Sequence, residues 1–372
     1  MEPMSRTCLL LILALSLAGS CLRGQQADPV DWQTGSAVDR QLEQPLKGSW
    51  KDIPLRHMLQ ALAQSQRVAI FLDRRVDPDQ PVTFDAGGDS LAVVLARLTG
   101  QLQLGHCLVD STIYIGPQDT TAKLATVAEV LHQFLGQLPE PFNKQAARRV
   151  AMKWDRLASP RPLVAEQLRQ AGIQVAQPES IPHDLWAAGE LPPMPLAHRL
   201  AILLAGFNKT FTVAGDPPSM SLFPMPEEVT LRRVYRKTVT TKNFQRIREF
   251  FPDLDVTRGD GELTAVGRQE DHRQLARLLR GEQVTAPRAG PVNKRYRLKV
   301  EQVSIQQVLE AIARQDGLEL DADEESRKRW DKLIDLDARD VPIEKLLQMV
   351  LSPASLAGRV EGTALIIRPA AP

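Results

Sequence analysis

Residues 53–73 read IPLRHMLQALAQSQRVAIFLD, and the fold is decided by how this stretch is read. Leu55, Met58, Leu59 and Leu62 recur at i, i+3, i+4 and i+7, one apolar face of a helix that carries Pro54 in its first turn. Gly48 to Lys51 precedes it as a strand and Val68 to Leu72 follows as another. Further out, Val82 to Phe84 reads as a strand, Asp89 as a helix cap, and Leu91, Val94, Leu95 and Leu98 as a second apolar stripe ended by Gly100. A hairpin, Leu104 to Val109 and Thr112 to Ile115 turning at Asp110 and Ser111, stops at Pro117.

The same order recurs near the C-terminus. There a strand, Tyr296 to Val300, leads to the stripe Ile305, Val308, Leu309 and Ile312, then to the strand Leu318 to Leu320. After a charged insertion, Ala322 to Asp331, come the strand Leu333 to Leu336, the stripe Ile343, Leu346, Leu347 and Val350, and a hairpin turning at Glu361 and Gly362. A divergent middle copy runs from Val150 through Leu163, Val164 and Leu168, the strand Ile173 to Val175, the stripe Leu196, Leu200, Leu203 and Leu204, and a hairpin near Gly215 and Asp216. The copies close alike, as TIYIGP at Pro117, SMSLFP at Pro224 and ALIIRP at Pro369, because proline cannot donate to a further ladder bond.

Two apolar helix stripes and a few short strands per copy predict an α+β fold, a multi-domain chain of small two-layer α/β sandwich modules with mixed sheets, one sheet face covering each helix pair. The expected division is 46–118, 150–226 and 291–370 for the three modules, with 119–149 as a helical connector and 228–281 as a βαββα module. A Gly/Pro-bearing linker, Gly281 to Pro291, precedes the last module.

Composition sets the broader limits. The chain has 372 residues, 43% hydrophobic and 24% charged, so it buries real cores; 46 Lys plus Arg against 45 Asp plus Glu leave +1, which excludes a global field steering it to nucleic acid. The densest basic stretch, Arg232 to Arg248, has acidic neighbours at Glu227, Glu228 and Glu249 and reads as a solvated face. At the N-terminus, Arg6, an apolar run from Cys8 to Leu17 and the small residues Ala18, Gly19 and Ser20 form a secretory signal within 1–24. Cys21 stands where a bacterial lipoprotein carries its lipid, although Ala18 occupies the position usually held by a bulky aliphatic; membrane contact is expected only through lipid on Cys21. Cys107 reads as a small buried apolar residue.

The phrases IPLRHMLQALAQSQRVAIFLD and VPIEKLLQMVL (341–351), in the order strand, helix, strand, strand, helix, hairpin, resemble the secretin and TonB receptor short N-terminal domain. The middle copy, with LVAEQLRQAGIQV (163–175), looks like a divergent member, and the βαββα module is similar to the second periplasmic domain of secretins, which shares its layout with the KH fold. The resemblance implies a periplasmic or cell-envelope protein that contacts other envelope proteins, secretion or signalling components among them, without catalytic residues. No pore or receptor barrel follows the third copy here, so a stand-alone adaptor is the expectation.

Catalytic patterns are missing from the sequence: no G-x-S-x-G, no H-E-x-x-H, no C-x-x-C, and six scattered histidines with no i, i+4 pair. Asp321, Asp323 and Glu325 alternate as in a calcium loop, but Ser326 and Lys332 replace the glycine and glutamate that such a loop needs. A KH grip on RNA needs G-x-x-G, and Gly259 and Gly261 are one residue too close. No cofactor or metal is expected, and the oligomeric state is not readable.

Two candidate contact regions stand out. In IPHDLW (181–186), His183 and Asp184 form a polar pair beside Trp186 that suits a cell-wall glycan or peptide; alternatively Pro182 opens a turn, Asp184 caps it and Trp186 fills a core. The closing strand Leu365, Ile366, Ile367 and Arg368 offers an edge on which a partner strand could pair. The leading expectation is a non-enzymatic interaction protein; glycan or peptide binding is the alternative.

Overall fold

A computed structural model describes residues 31–237, 239–282, 295–316, 318–361 and 364–369. The expected signal segment 1–24, Cys21, Gly362 of the expected turn and most of the expected linker after Gly281 lie outside them. A short helix α1 (Ser36–Leu42) precedes β1 (Ser49–Pro54), α2 (Leu55–Gln66), β2 (Ala69–Leu72), β3 (Pro81–Asp85), α3 (Leu91–Gln101), β4 (Gly105–Val109) and β5 (Thr112–Gly116). Helices α4 (Gln118–Leu135) and α5 (Phe142–Ala147) lead into β6 (Val150–Trp154), α6 (Pro160–Gln170), β7 (Gln174–Val175), β8 (Gly189–Met194), α7 (Leu196–Ala205), β9 (Lys209–Ala214) and β10 (Ser219–Pro224).

The βαββα segment follows as β11 (Leu231–Tyr235), α8 (Thr241–Phe250), β12 (Asp255–Arg258), β13 (Leu263–Gly267) and α9 (Gln269–Leu279), its sheet ordered β11-β13-β12. The last part comprises β14 (Arg295–Ser304), α10 (Ile305–Asp316), β15 (Glu319–Ala322), the one-turn α11 (Glu324–Arg327), β16 (Leu333–Pro342), α12 (Ile343–Leu351), β17 (Leu356–Glu361) and β18 (Ala364–Pro369).

Three sets of elements share one topology. In each, the first and third strands pair antiparallel as a separate two-stranded sheet, β1 with β3, β6 with β8 and β14 with β16. The remaining strands form a three-stranded sheet ordered β2-β5-β4, β7-β10-β9 and β15-β18-β17, whose middle strand is parallel to one neighbour and antiparallel to the other. The strands of a repeat therefore belong to two sheets, and the single sheet face expected from sequence is corrected: β3 contributes Val82 and Phe84, and β5 Ile113 and Ile115, to one core with the stripes of α2 and α3.

Local irregularities repeat as well. Each two-stranded sheet carries a bulge, and in the first and third repeats a left-handed residue, Asp52 or Gln302, sits within it. Its amide is taken across the bulge by Thr83 Oγ1 (3.1 Å) or Asp335 Oδ1 (2.7 Å). Between the second helix and the next strand every repeat also has a left-handed residue: Gln103, Asn208 and Ser355. Such a conformation costs a non-glycine residue of order 1 kcal/mol, so its recurrence marks a turn that the repeat geometry requires.

The cores are unequally shared. The outer face of the first repeat's three-stranded sheet, Cys107, Val109 and Tyr114, packs on Leu124, Ala125, Ala128 and Leu131 of α4, and α4 packs on α7, so the first two repeats meet in one apolar mass. The expected connector is thus the central helix of this body. Gly105 allows the approach, since a Cβ there would stand 2.0 Å from Thr121 Oγ1 in the first turn of α4. The third repeat closes a core of its own around Leu309, Ile343, Leu346, Leu347 and Leu365. Leu347→Ala, which empties a fully buried position, should lower by about 2–5 kcal/mol the unfolding transition of the third repeat alone. Calorimetry that shows one common transition moving as a whole would refute this independence.

Candidate functional site

The chemistry-bearing side chains gather where the first and second repeats meet. Strand β2 ends in the run Ala69–Leu72, and the next residue, Asp73, is 1% exposed. Arg75 closes on its carboxylate with two bonds, Nε to Oδ1 (3.0 Å) and Nη2 to Oδ2 (2.5 Å), and Tyr114 Oη donates to Oδ2 (2.5 Å). The same guanidinium reaches Thr120 Oγ1 in the first turn of α4 (2.9 Å) and the Ala205 carbonyl at the end of α7 (3.2 Å). One aspartate thereby ties β2, β5, α4 and α7. Burial is the largest influence on it and would raise its pKa, but the bonds from Arg75 and Tyr114 outweigh burial and hold the carboxyl below its ordinary range. Tyr114 is pushed well up by burial and by the adjoining carboxylate.

The segment 181–186 lies on the same seam. Trp186 is 9% exposed and is ringed by Phe71 (6.2 Å between centroids), Trp154 (6.0 Å) and Phe207 (6.2 Å, stacked with nearly parallel planes). Its Nε1–H donates to Asp184 Oδ2 (2.8 Å), which also accepts from Arg74 Nε (2.6 Å). Arg74 in turn lies over the Phe207 ring at 4.8 Å. Asp184 therefore fastens the second repeat to the first rather than capping a turn. His183 and Leu185 are exposed, but the aromatic wall expected beside His183 faces inward.

A second polar group sits on α4. Glu129 accepts from Arg233 Nη2 of β11 (2.6 Å) and lies 3.4 Å from His198 Nε2 of α7, whose ring is 5.1 Å from that of His132. Burial acts most strongly on Glu129 and in the raising direction, yet His198 and Arg233 together draw it down to about 2. No group of three metal-ligating side chains occurs among the described residues. The Asp73, Glu129 and Asp184 carboxylates are all engaged with cations or hydrogen-bond donors across element boundaries, an arrangement that fastens parts of the chain to one another.

Leu365, Ile366, Ile367 and Arg368 do not form an edge. β18 is the middle strand of its sheet, bonded to β15 on one side and β17 on the other, so no partner strand can add to it. Leu365 and Ile367 point into the core; Ile366 and Arg368 face outward, with Arg368 paired to Asp321 (3.2 Å). Among the described residues, the edge strands of this sheet are β15 and β17. Sequence reading overlooked Asp73, Arg75 and Glu129; an acid that ends an apolar strand, as Asp73 does in AIFLD, was the available signal for the first.

No family model matches the chain, and no curated protein matches it. Solved structures similar to it include secretin N-terminal domains and an injectisome basal body. The Salmonella SPI-1 type III secretion injectisome basal body proteins InvG, PrgH and PrgK match 63% of this chain at 11% identity and TM-score 0.18; the chain spans only 45% of that one. The N-terminal domain of the secretin XcpQ from Pseudomonas aeruginosa matches 64% of this chain and 98% of its own at 11% identity and TM-score 0.17. The structure of XcpQN012 matches 56% and 99% at 13% identity and TM-score 0.15.

Proposed function

We propose that this chain is a non-enzymatic protein-interaction protein of the bacterial cell envelope, divided along the boundaries given above, which docks envelope partners through its third repeat. The observation that carries the reading is the contrast between repeats. Each three-stranded sheet has two edge strands, but α4 lies across β4 and β5 and joins the first two repeats in one core, whereas the third repeat, with β15 and β17 as its edges, keeps a core of its own. An edge strand offers unpaired backbone groups to an incoming strand, and the side chains beside it select the partner. Ala357 and Arg359 point outward from β17, and both are exposed.

The exported location rests on the 1–24 signal, with Cys21 as the place for a lipid. No helix among the described residues is long and apolar enough to cross a membrane. Glycan binding at 181–186 loses its support, because a sugar would stack on Trp186 and that ring is buried among three others.

A photo-crosslinking residue at Ala357, activated in intact cells, should capture envelope proteins, and the same residue at His183 should capture none above background. Recovery of glycan alone, or of the same proteins from both positions, would sink the proposal.

A further inference from the structure

The βαββα segment has a small core of its own and is held to the body mainly through α9. The Gln269 N–H donates to Thr126 Oγ1 of α4 (3.0 Å), and Arg273 and Arg277 pair with Asp39 and Glu43 on and beside α1. Inside this contact Glu270 Oε2 and Gln274 Oε1 are buried without a hydrogen-bond partner. Four residues apart, they stand on one face of the helix. Both of these oxygens are acceptors while Glu270 is ionised, and among the described residues the only amide bond to that carboxylate is from its own N–H; a proton on Glu270 removes a buried charge and supplies an O–H one turn from a waiting carbonyl.

We propose that a protonated Glu270 clasps the βαββα segment to the body of the molecule, and that loss of this proton loosens it. The groups facing Glu270 are few. Arg268, Asp271 and Arg273 come from α9 and its start, and Cys107 from β4. The acids at Asp39 and Glu43 are committed to Arg273 and Arg277, and α4 presents the neutral Thr126, with Glu129 bound to Arg233 a turn further on.

Burial dominates and raises the Glu270 carboxyl above its ordinary 4.5; the hydrogen bond from its own backbone N–H, then Arg268 and Arg273, offset part of this and Asp271 adds to it. A carboxyl raised in the docked form gives docking its full strength below the ordinary value. Docking then weakens as pH climbs toward the docked value, about tenfold per unit in that window.

A rival arrangement has the Gln274 amide turned so that its NH2 donates to an ionised Glu270, which would make docking indifferent to pH. Hydrogen exchange on the full chain, comparing wild type with Glu270→Gln at pH 5 and pH 8, separates the two. The glutamine is neutral at every pH, while intrinsic exchange and the titration of His132 and His272 are common to both proteins and cancel in the ratio. At pH 5 the β11 and α9 peptides should differ by no more than about fourfold; at pH 8 those of the wild type should exchange at least about tenfold faster. A ratio of one at pH 8, or faster exchange in Glu270→Gln at either pH, overturns the clasp. Gln274→Met, which leaves the carboxyl in place, should narrow the pH response; widening it identifies the turned amide instead.

Discussion

Trp186→Ala is expected to destabilise the body formed by the first two repeats by about 3–5 kcal/mol, the usual cost of emptying a buried tryptophan site. The cavity would open among Phe71 of the first repeat and Trp154 and Phe207 of the second, and these rings come from three separate elements that cannot all collapse inward. Asp184 would also lose the indole N–H that shares its oxygen with Arg74. For a body of this size the loss corresponds to a fall in Tm on the order of 10 °C, read by calorimetry or far-UV circular dichroism. His183→Ala and Leu185→Ala, on exposed neighbours, should each stay within about 0.5 kcal/mol of wild type. A Trp186 variant as stable as those two would mean that the ring faces solvent, and the ligand reading of 181–186 would return.

What the sequence disclosed and what it hid follow from the range of the forces involved. The stripes Leu55, Met58, Leu59, Leu62 and Ile305, Val308, Leu309, Ile312 are local periodicities, and α2 and α10 stand where those spacings place them. Pro117, Pro224 and Pro369 likewise lie just after or at the end of closing strands. Strand order is not local. Nothing in ALIIRP distinguishes a middle strand from an edge, because burial of Leu365 and Ile367 alternates in the same way in both; only the pairing of β18 with β15 and β17 decides it. The role of α4 was hidden for a related reason. Leu124, Val127 and Leu131 announce a buried face, but which sheet buries them depends on contacts with Cys107 and Tyr114. Asp89, expected to cap α3, instead binds Arg97 at 2.6 Å, since a carboxylate beside a guanidinium gains more than it does from one amide.

Asp73→Ala should cost about 3 kcal/mol or more, because it strands partners that were ordered for this carboxylate. Tyr114 is fully buried and would keep a hydroxyl with nothing to donate to, and Arg75 would retain only Thr120 and the Ala205 carbonyl. Part of the loss is recovered by solvent, since Arg75 is 30% exposed, and for that reason the larger share is assigned to Tyr114. Tyr114→Phe in the Asp73→Ala background should then cost clearly less than Tyr114→Phe alone, a coupling of about 1–2 kcal/mol in a double-mutant cycle by urea denaturation. The pH dependence has a definite sign. A carboxyl depressed in the folded state contributes stability that is present above its unfolded value of 3.8 and is lost as pH falls further, through the folded value. Wild type should therefore lose stability between about pH 4 and pH 2 more steeply than Asp73→Asn, which has no proton to take up there. Parallel acid titrations of the two proteins would show that Asp73 is not the charge that fastens β2 and β5 to α4 and α7.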